Sequence, residues 1–186
     1  MNKTWIIVLA VIALLAFGLI GSYNSMVSMN EDVNSKWAQV DNQLQRRADL
    51  IPNLVATVKG YAKHEETILS NIAEARSRLV GAGSVAEKAA ANENLNSALS
   101  RLLVVVENYP NLKADANYRQ LQDELAGTEN RLSVARKDYN DSVQVFNAKI
   151  KSFPTVFWAN MFGFSQHDYF KAEEAAKEVP KVDFGQ

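Results

Sequence analysis

The sequence predicts an all-α protein: an N-terminal membrane-spanning helix, then an elongated antiparallel up-down bundle of three long helices and a short C-terminal helix. Three observations predict it. No charged residue stands between Thr4 and Asn30. A seam of apolar residues at alternating steps of three and four runs through much of the remainder. Glycine and proline are scarce, at 8 and 4 residues of 186, which leaves few turns. The same features divide the chain into an anchor at 1–29, a helical domain at 30–171 and a flexible tail at 172–186.

The anchor comes first. Its core, Trp5 to Gly21, reads WIIVLAVIALLAFGLIG. At about 1.5 Å per residue the run from Trp5 to Tyr23 spans about 27 Å, close to the thickness of bilayer hydrocarbon. Trp5 and Tyr23 bracket the run where aromatic rings favour the interfaces, with Leu9, Leu14 and Phe17 among the spanning residues. A cleaved signal peptide is the competing reading, but it needs a shorter apolar region and a small-x-small cleavage site. A cut at Ala16-Phe17-Gly18 would fall inside the run, and Gly21-Ser22 passes directly into Tyr23-Asn24. The chain has no cysteine, so it has no thiol for a lipid. Lys3 precedes the run, and Glu31 and Asp32 come before the next cation, Lys36. That bias puts the N-terminus in the cytoplasm and the body on the extracytoplasmic side.

The first bundle helix carries Val33, Trp37, Val40, Leu44, Arg47, Ile51, Leu54, Val58, Tyr61, Glu65, Ile68, Ile72, Ala75 and Leu79 on one seam. A 3.5-residue period held this long is the pattern of a coiled-coil-like contact. Pro52 falls inside the seam without changing its phase. A proline there removes one backbone hydrogen bond and predicts a kink, or two abutting helices, near residues 48–52. Asparagine or glutamine nearby could take up the carbonyl left free. No proline or glycine run separates the anchor from this helix, so one is expected to pass almost directly into the other.

Gly81-Ala82-Gly83 ends that helix, and Ser84-Val85-Ala86-Glu87 has the spacing of a capping box. The second helix follows, with Leu95, Leu99, Leu102, Val105 and Val106 on one face and a polar, alanine-rich first half expected to pack weakly. Tyr109-Pro110 stops it, because the residue before proline disfavours helical geometry. The third runs from about Ala114 to Ser152, with its seam at Tyr118, Leu121, Leu125, Thr128, Leu132, Ala135, Tyr139, Ser142, Phe146, Lys149 and Phe153. Pro154 then opens a short helix, TVFWANMF, that Gly163 ends. Two short connections imply antiparallel neighbours, and a long first helix implies a rod.

These stretches resemble the LemA proteins. The matching segments are YNSMV at 23–27 and KWAQVDNQLQRRADLIPNLVATVKGYAKHEETIL at 36–69, with Ala75-Arg76 after them. In the second half they are YPNL at 109–112, YRQLQDELAGTENRLSVARKDYNDSVQVFNAKIKSFP at 118–154, Gly163-Phe164 and Tyr169-Phe170. The resemblance implies a bacterial single-pass membrane protein carrying a helical bundle. It carries no transferable biochemical activity.

Polar residues on or beside the seams are the most pointed. Arg47 and Glu65 occupy seam positions; Arg76, Glu124, Glu129 and Arg136 lie close by in the pattern. A buried charge without a partner is costly, so these should pair across helices and fix register. Arg47 and Arg76 are expected to meet Glu124 or Glu129, and Glu65 to meet Arg136 or a tyrosine. Asn140 and Asn147, seven apart, share one stripe and suit an interhelical polar ladder.

No catalytic constellation emerges. His64 and His167 are the two histidines, and neither has metal-ligand spacing. There is no cysteine nucleophile, GxSxG, P-loop or GxGxxG. With 20 basic and 21 acidic residues no basic field favours nucleic acid. Neither an enzyme nor a cofactor protein is expected.

The segment from Phe153 to Phe170 is the other candidate surface. Phe157, Trp158, Phe162, Phe164, Tyr169 and Phe170 stand in it with Asp168 as its sole formal charge. Such rings either cap the open end of the bundle or dock on a membrane or a protein. With three alternating helices the segment falls at the membrane-distal end. The functional classes that follow are a scaffold or interaction protein of the envelope, touching the bilayer and an unknown membrane or envelope partner, or a tethered sensor binding a ligand within its helices.

Overall fold

The computed structural model describes residues 3–62 and 64–171, so Met1, Asn2, Lys63 and the tail at 172–186 lie outside it. The side chains of residues 3, 4, 8, 11 and 14–16, Leu14 among them, lie outside it too. The described residues form α1 (Lys3–Tyr61), α2 (Glu66–Gly81), α3 (Val85–Val106), α4 (Pro110–Ala114), α5 (Ala116–Lys151) and α6 (Thr155–Met161).

α1 passes without interruption from the apolar run into the bundle residues. Among the described residues no helix is long and apolar enough to cross a membrane. Five apolar side chains of the Trp5–Gly21 run stand outside those residues. The spanning segment therefore rests on the sequence and not on the fold.

Pro52 lies inside α1, which rules out two abutting helices at 48–52. The helix ends instead at Tyr61, and α2 begins at Glu66. Gly60 weakens the end of α1. The side chain of Glu65, where the chain re-enters helix, accepts a hydrogen bond from Tyr109 Oη at 3.1 Å. The heptad phase continues through this break, which hid it from the pattern. α2 and α3 then form an antiparallel hairpin across the Gly81–Ser84 turn. The expected capping box is present: Ser84 Oγ accepts from the Glu87 amide, and Glu87 accepts from the Ser84 amide.

Proline at position 110 both ends one helix and starts another, because its missing N–H costs nothing in a first turn. The result is α4, whose Leu112 is fully buried. α6 ends as the sequence implies. Gly163 takes φ +77°, with Gly163 N donating to Asn160 O and Phe164 N to Ala159 O. These are the two bonds of a Schellman cap, and the left-handed position suits glycine.

The chain divides into two compact units, one of Met1–Gln39 and Lys137–Asp168, the other of Val40–Arg136 and Tyr169–Gln186. In the first, Met26 and Val33 of α1, Tyr139, Val143, Phe146 and Ile150 of α5, and Ala159 of α6 are buried. The second buries the α1 seam from Val40 to Val58, Leu69, Ile72 and Leu79 of α2, and Leu95 and Leu102 of α3.

Two seams end one residue late. Ala62 is buried where Tyr61 was expected, and Val143 and Ile150 replace Ser142 and Lys149, leaving Phe153 exposed. A helix with 3.6 residues per turn drifts about 20° per heptad from a 3.5 repeat. The first half of α3 also packs better than expected, with Ala91 and Asn92 buried.

The break at residues 62–65 adds a reversal that a three-helix count lacks. The segment 153–168 packs beside Tyr23 and Asn30, where the apolar run ends, and not at the far end expected from a three-helix count. Phe170 is buried, and the guanidinium of Arg136 lies 5.6 Å from its ring centroid.

Candidate functional site

The second unit holds a buried polar cluster built from three helices. Arg47 on α1 is 5% exposed. Its Nη1 donates to Asn92 Oδ1 on α3 at 2.9 Å and to Glu129 Oε2 on α5 at 2.5 Å. Arg136 Nη2, two turns further along α5, donates to the other oxygen of Glu129 at 3.1 Å. Burial lowers the Arg47 pKa from its ordinary value, the charge on Glu129 opposes that, and Arg136 adds to it. A guanidinium starts so high that Arg47 remains charged throughout. Its Nε is buried and has no hydrogen-bond partner among the described residues.

An open cleft of about 540 Å³ lies beside this cluster. Leu54, Leu99, Leu102 and Leu125 give it apolar walls, and Arg47, Asp123 and Glu129 bring charge into the lining. Such a lining takes an apolar body that carries a polar group.

Of the arginines expected to meet carboxylates, Arg76 does something else. Pro52 has no N–H, so the carbonyl of Ala48, four residues earlier, lacks its helical donor. Arg76 Nε of α2 donates to that carbonyl at 2.7 Å. The proline and the arginine are thus one device, joining α1 to α2 at a fixed height. Replacing Arg76 with Met should cost about 1–3 kcal/mol by leaving a part-buried carbonyl unsatisfied. The same substitution in a Pro52→Ala background should cost clearly less, because the alanine N–H restores the bond. A double-mutant cycle in urea reads the coupling.

The remaining residues singled out from the sequence fall as follows. Glu65 meets Tyr109 and not Arg136. Glu124 enters through its backbone carbonyl, which accepts from Thr128 Oγ1 at 2.7 Å. Asn140 is half-buried on α5. Asn147 bonds to the extended segment after α6 in place of another helix. Its Nδ2 donates to His167 O at 2.9 Å, and its Oδ1 accepts from His167 N at 3.0 Å.

That pair begins a clamp in the first unit. Tyr139 Oη donates to Asp168 O at 2.7 Å. Burial, aided by the Asp168 carboxylate, pushes the Tyr139 pKa up to about 12, so the phenol keeps its proton at any physiological pH. His167 Nε2 lies 2.8 Å from Asn30 Oδ1 on α1, and its ring centroid is 5.0 Å from that of Phe146. Asn30, Asn92 and the His167 backbone carried no signal in the sequence, since their roles come from distant partners.

Burial lowers the His167 pKa from 6.5, with Asp168 opposing. The folded state therefore holds this proton less tightly than the unfolded chain. Its contribution is whole above the unfolded value and is lost as pH falls from 6.5 through the lower folded value. The melting temperature should drop between about pH 7.5 and about pH 5, and His167→Gln should flatten that slope.

Among the described residues no group of acidic, histidine or cysteine side chains could hold a metal ion. Among the described residues all regular structure is helical and buried polar groups pair across helices, which defines a helical-bundle protein. The chain belongs to the LemA family, whose profile matches residues 36–184. It is 30% identical over 201 residues to Magnetosome protein MamQ 2 of Paramagnetospirillum magneticum, covering 94% of this chain and 73% of that protein. It is 28% identical over 202 residues to Magnetosome protein MamQ of Magnetospirillum gryphiswaldense, covering 94% and 74%. Protein LemA of Metamycoplasma hominis is 26% identical over 176 residues, covering 92% and 77%.

Proposed function

We propose that this chain is a membrane-anchored helical-bundle protein of the bacterial envelope that acts by protein–protein contact or scaffolding and catalyses no reaction. The observation that carries this reading is the continuity of α1, which runs from the uncharged apolar stretch into a helix locked by Arg47. A stretch of that length and composition suits a single pass through the inner membrane. Lys3 ahead of it favours a bundle on the extracytoplasmic side, which protease treatment of spheroplasts tests. Val104 and Val134 are large apolar side chains left exposed on α3 and α5 and suit contact with a partner. Photo-crosslinkers at these two positions in intact cells should trap one specific protein. Recovery of no protein adduct from either position speaks against the reading.

A second reading has its own observation. The cleft and the unpartnered Nε of Arg47 favour a bundle that binds a small molecule, an apolar body carrying a hydrogen-bond acceptor. Native mass spectrometry of the purified full chain tests it: a retained mass lost on Leu99→Trp supports ligand binding over scaffolding.

A further inference from the structure

The rings of residues 153–162 are only partly used by the fold. α6 turns Thr155 and Ala159 inward, where they are buried. Its other face presents Phe157 and Met161, 63% and 62% exposed, with Phe153 at 82% one step earlier. Phe157 and Met161, four apart, share one face of α6, and the ring of Phe153, in the turn before it, meets that of Phe157 edge to face at 6.1 Å. From Ser152 to Gln166 the chain carries no charged side chain, while Lys149 and Lys151 stand just before it.

Where this face sits decides what it fits. Phe162 packs against Tyr23 with ring centroids 4.9 Å apart, and Phe164 lies 5.9 Å from the same ring. Tyr23 ends the apolar run that begins at Trp5. Asn30 and Asn147, through His167, hold the segment that follows. A bundle cap would cover its apolar side chains, yet Phe153, Phe157 and Met161 are left bare.

We propose that the exposed face of α6, with Phe153, Phe157 and Met161, is a second membrane contact that dips into the lipid headgroup region beside the anchor. The proposal rests on the anchoring read from residues 5–23. Its occupant is the bilayer because this face is continuous, through Phe162 on Tyr23, with the residue at which that segment leaves hydrocarbon. Short apolar faces of this kind lie in the interface plane, about 5–10 Å into the headgroup boundary. Lysines at the border of this face suit anionic lipid phosphates.

The chain has no cysteine, so a single introduced thiol can be labelled uniquely. Phe153→Cys, Phe157→Cys and Met161→Cys, each carrying an environment-sensitive fluorophore, are reconstituted as full chains into vesicles of phosphatidylcholine and phosphatidylglycerol. Val104→Cys serves as the aqueous reference. Labels at 153, 157 and 161 should shift to the blue and be quenched several-fold more by spin-labelled lipid than the label at 104. Co-flotation with the vesicles is scored in the same samples. Proteins that float while all three labels stay water-like and unquenched overturn the membrane contact and leave the anchor standing; a protein partner for this face would give that result. Proteins that fail to float overturn the anchor as well. Circular dichroism equal to that of the parent shows that each labelled chain is folded.

Discussion

Glu129→Ala is expected to destabilise the bundle by about 3 kcal/mol, the lower end for breaking a buried ion pair. The carboxylate serves two cations, Arg47 at 2.5 Å and Arg136 at 3.1 Å. Removing it leaves Arg47, 5% exposed, with Asn92 as its remaining partner and an extra like charge nearby. The figure stays low because 34% of the Glu129 side chain is in water. For a chain of this size the melting temperature should fall by roughly 6–12 °C. A paired replacement, Arg47→Met with Glu129→Leu, should recover most of that loss, because neither change then strands a buried charge. If the double variant is as unstable as Glu129→Ala alone, the cluster does more than hold register, and the ligand reading of the cleft gains.

Phe146→Ala is the second large effect, about 3–5 kcal/mol for emptying a fully buried aromatic position. Phe146 touches both elements that fix the C-terminal segment, with ring centroids 6.3 Å from Phe164 and 5.0 Å from His167. The loss should therefore be local as well as global. Limited proteolysis should cut the variant between residues 163 and 171 faster than the parent. Tyr139→Phe, which removes one hydrogen bond to Asp168 O and leaves the packing, should cost only about 1 kcal/mol. A proteolysis pattern unchanged by Phe146→Ala would show that the segment is held by its hydrogen bonds alone.

Helical content, the capping box at Ser84, the helix stop at Gly163 and most of the α1 seam were legible because each is written in neighbouring residues. The turn at 62–65 was not. Its residues have ordinary helix propensity, the heptad phase runs across it, and it is held by Tyr109, forty-four positions from Glu65. The aromatic segment was misplaced as well, since its contacts with Tyr23 and Asn30 join residues far apart in sequence. The polar cluster was half legible. A charge on an apolar seam demands a partner, and Glu129 was among those named. Asn92 was hidden in a stretch that reads as weakly packing, and the donor for Ala48 O, freed by Pro52, could be named only once α2 was seen beside α1. Contacts between residues distant in sequence leave no periodic trace, and the candidate sites here are made of such contacts.

The central claim is that residues 5–23 hold the protein in a bilayer. Flotation of the full chain on a density gradient, before and after alkaline extraction, tests it against a Leu9→Arg, Ile12→Arg double variant. Each arginine near the middle of a spanning helix costs about 2.5–3.5 kcal/mol on insertion scales. The parent should float and resist extraction, while the double variant should stay largely at the bottom with its helical circular dichroism intact. A parent chain that extracts as readily as the double variant would contradict the account.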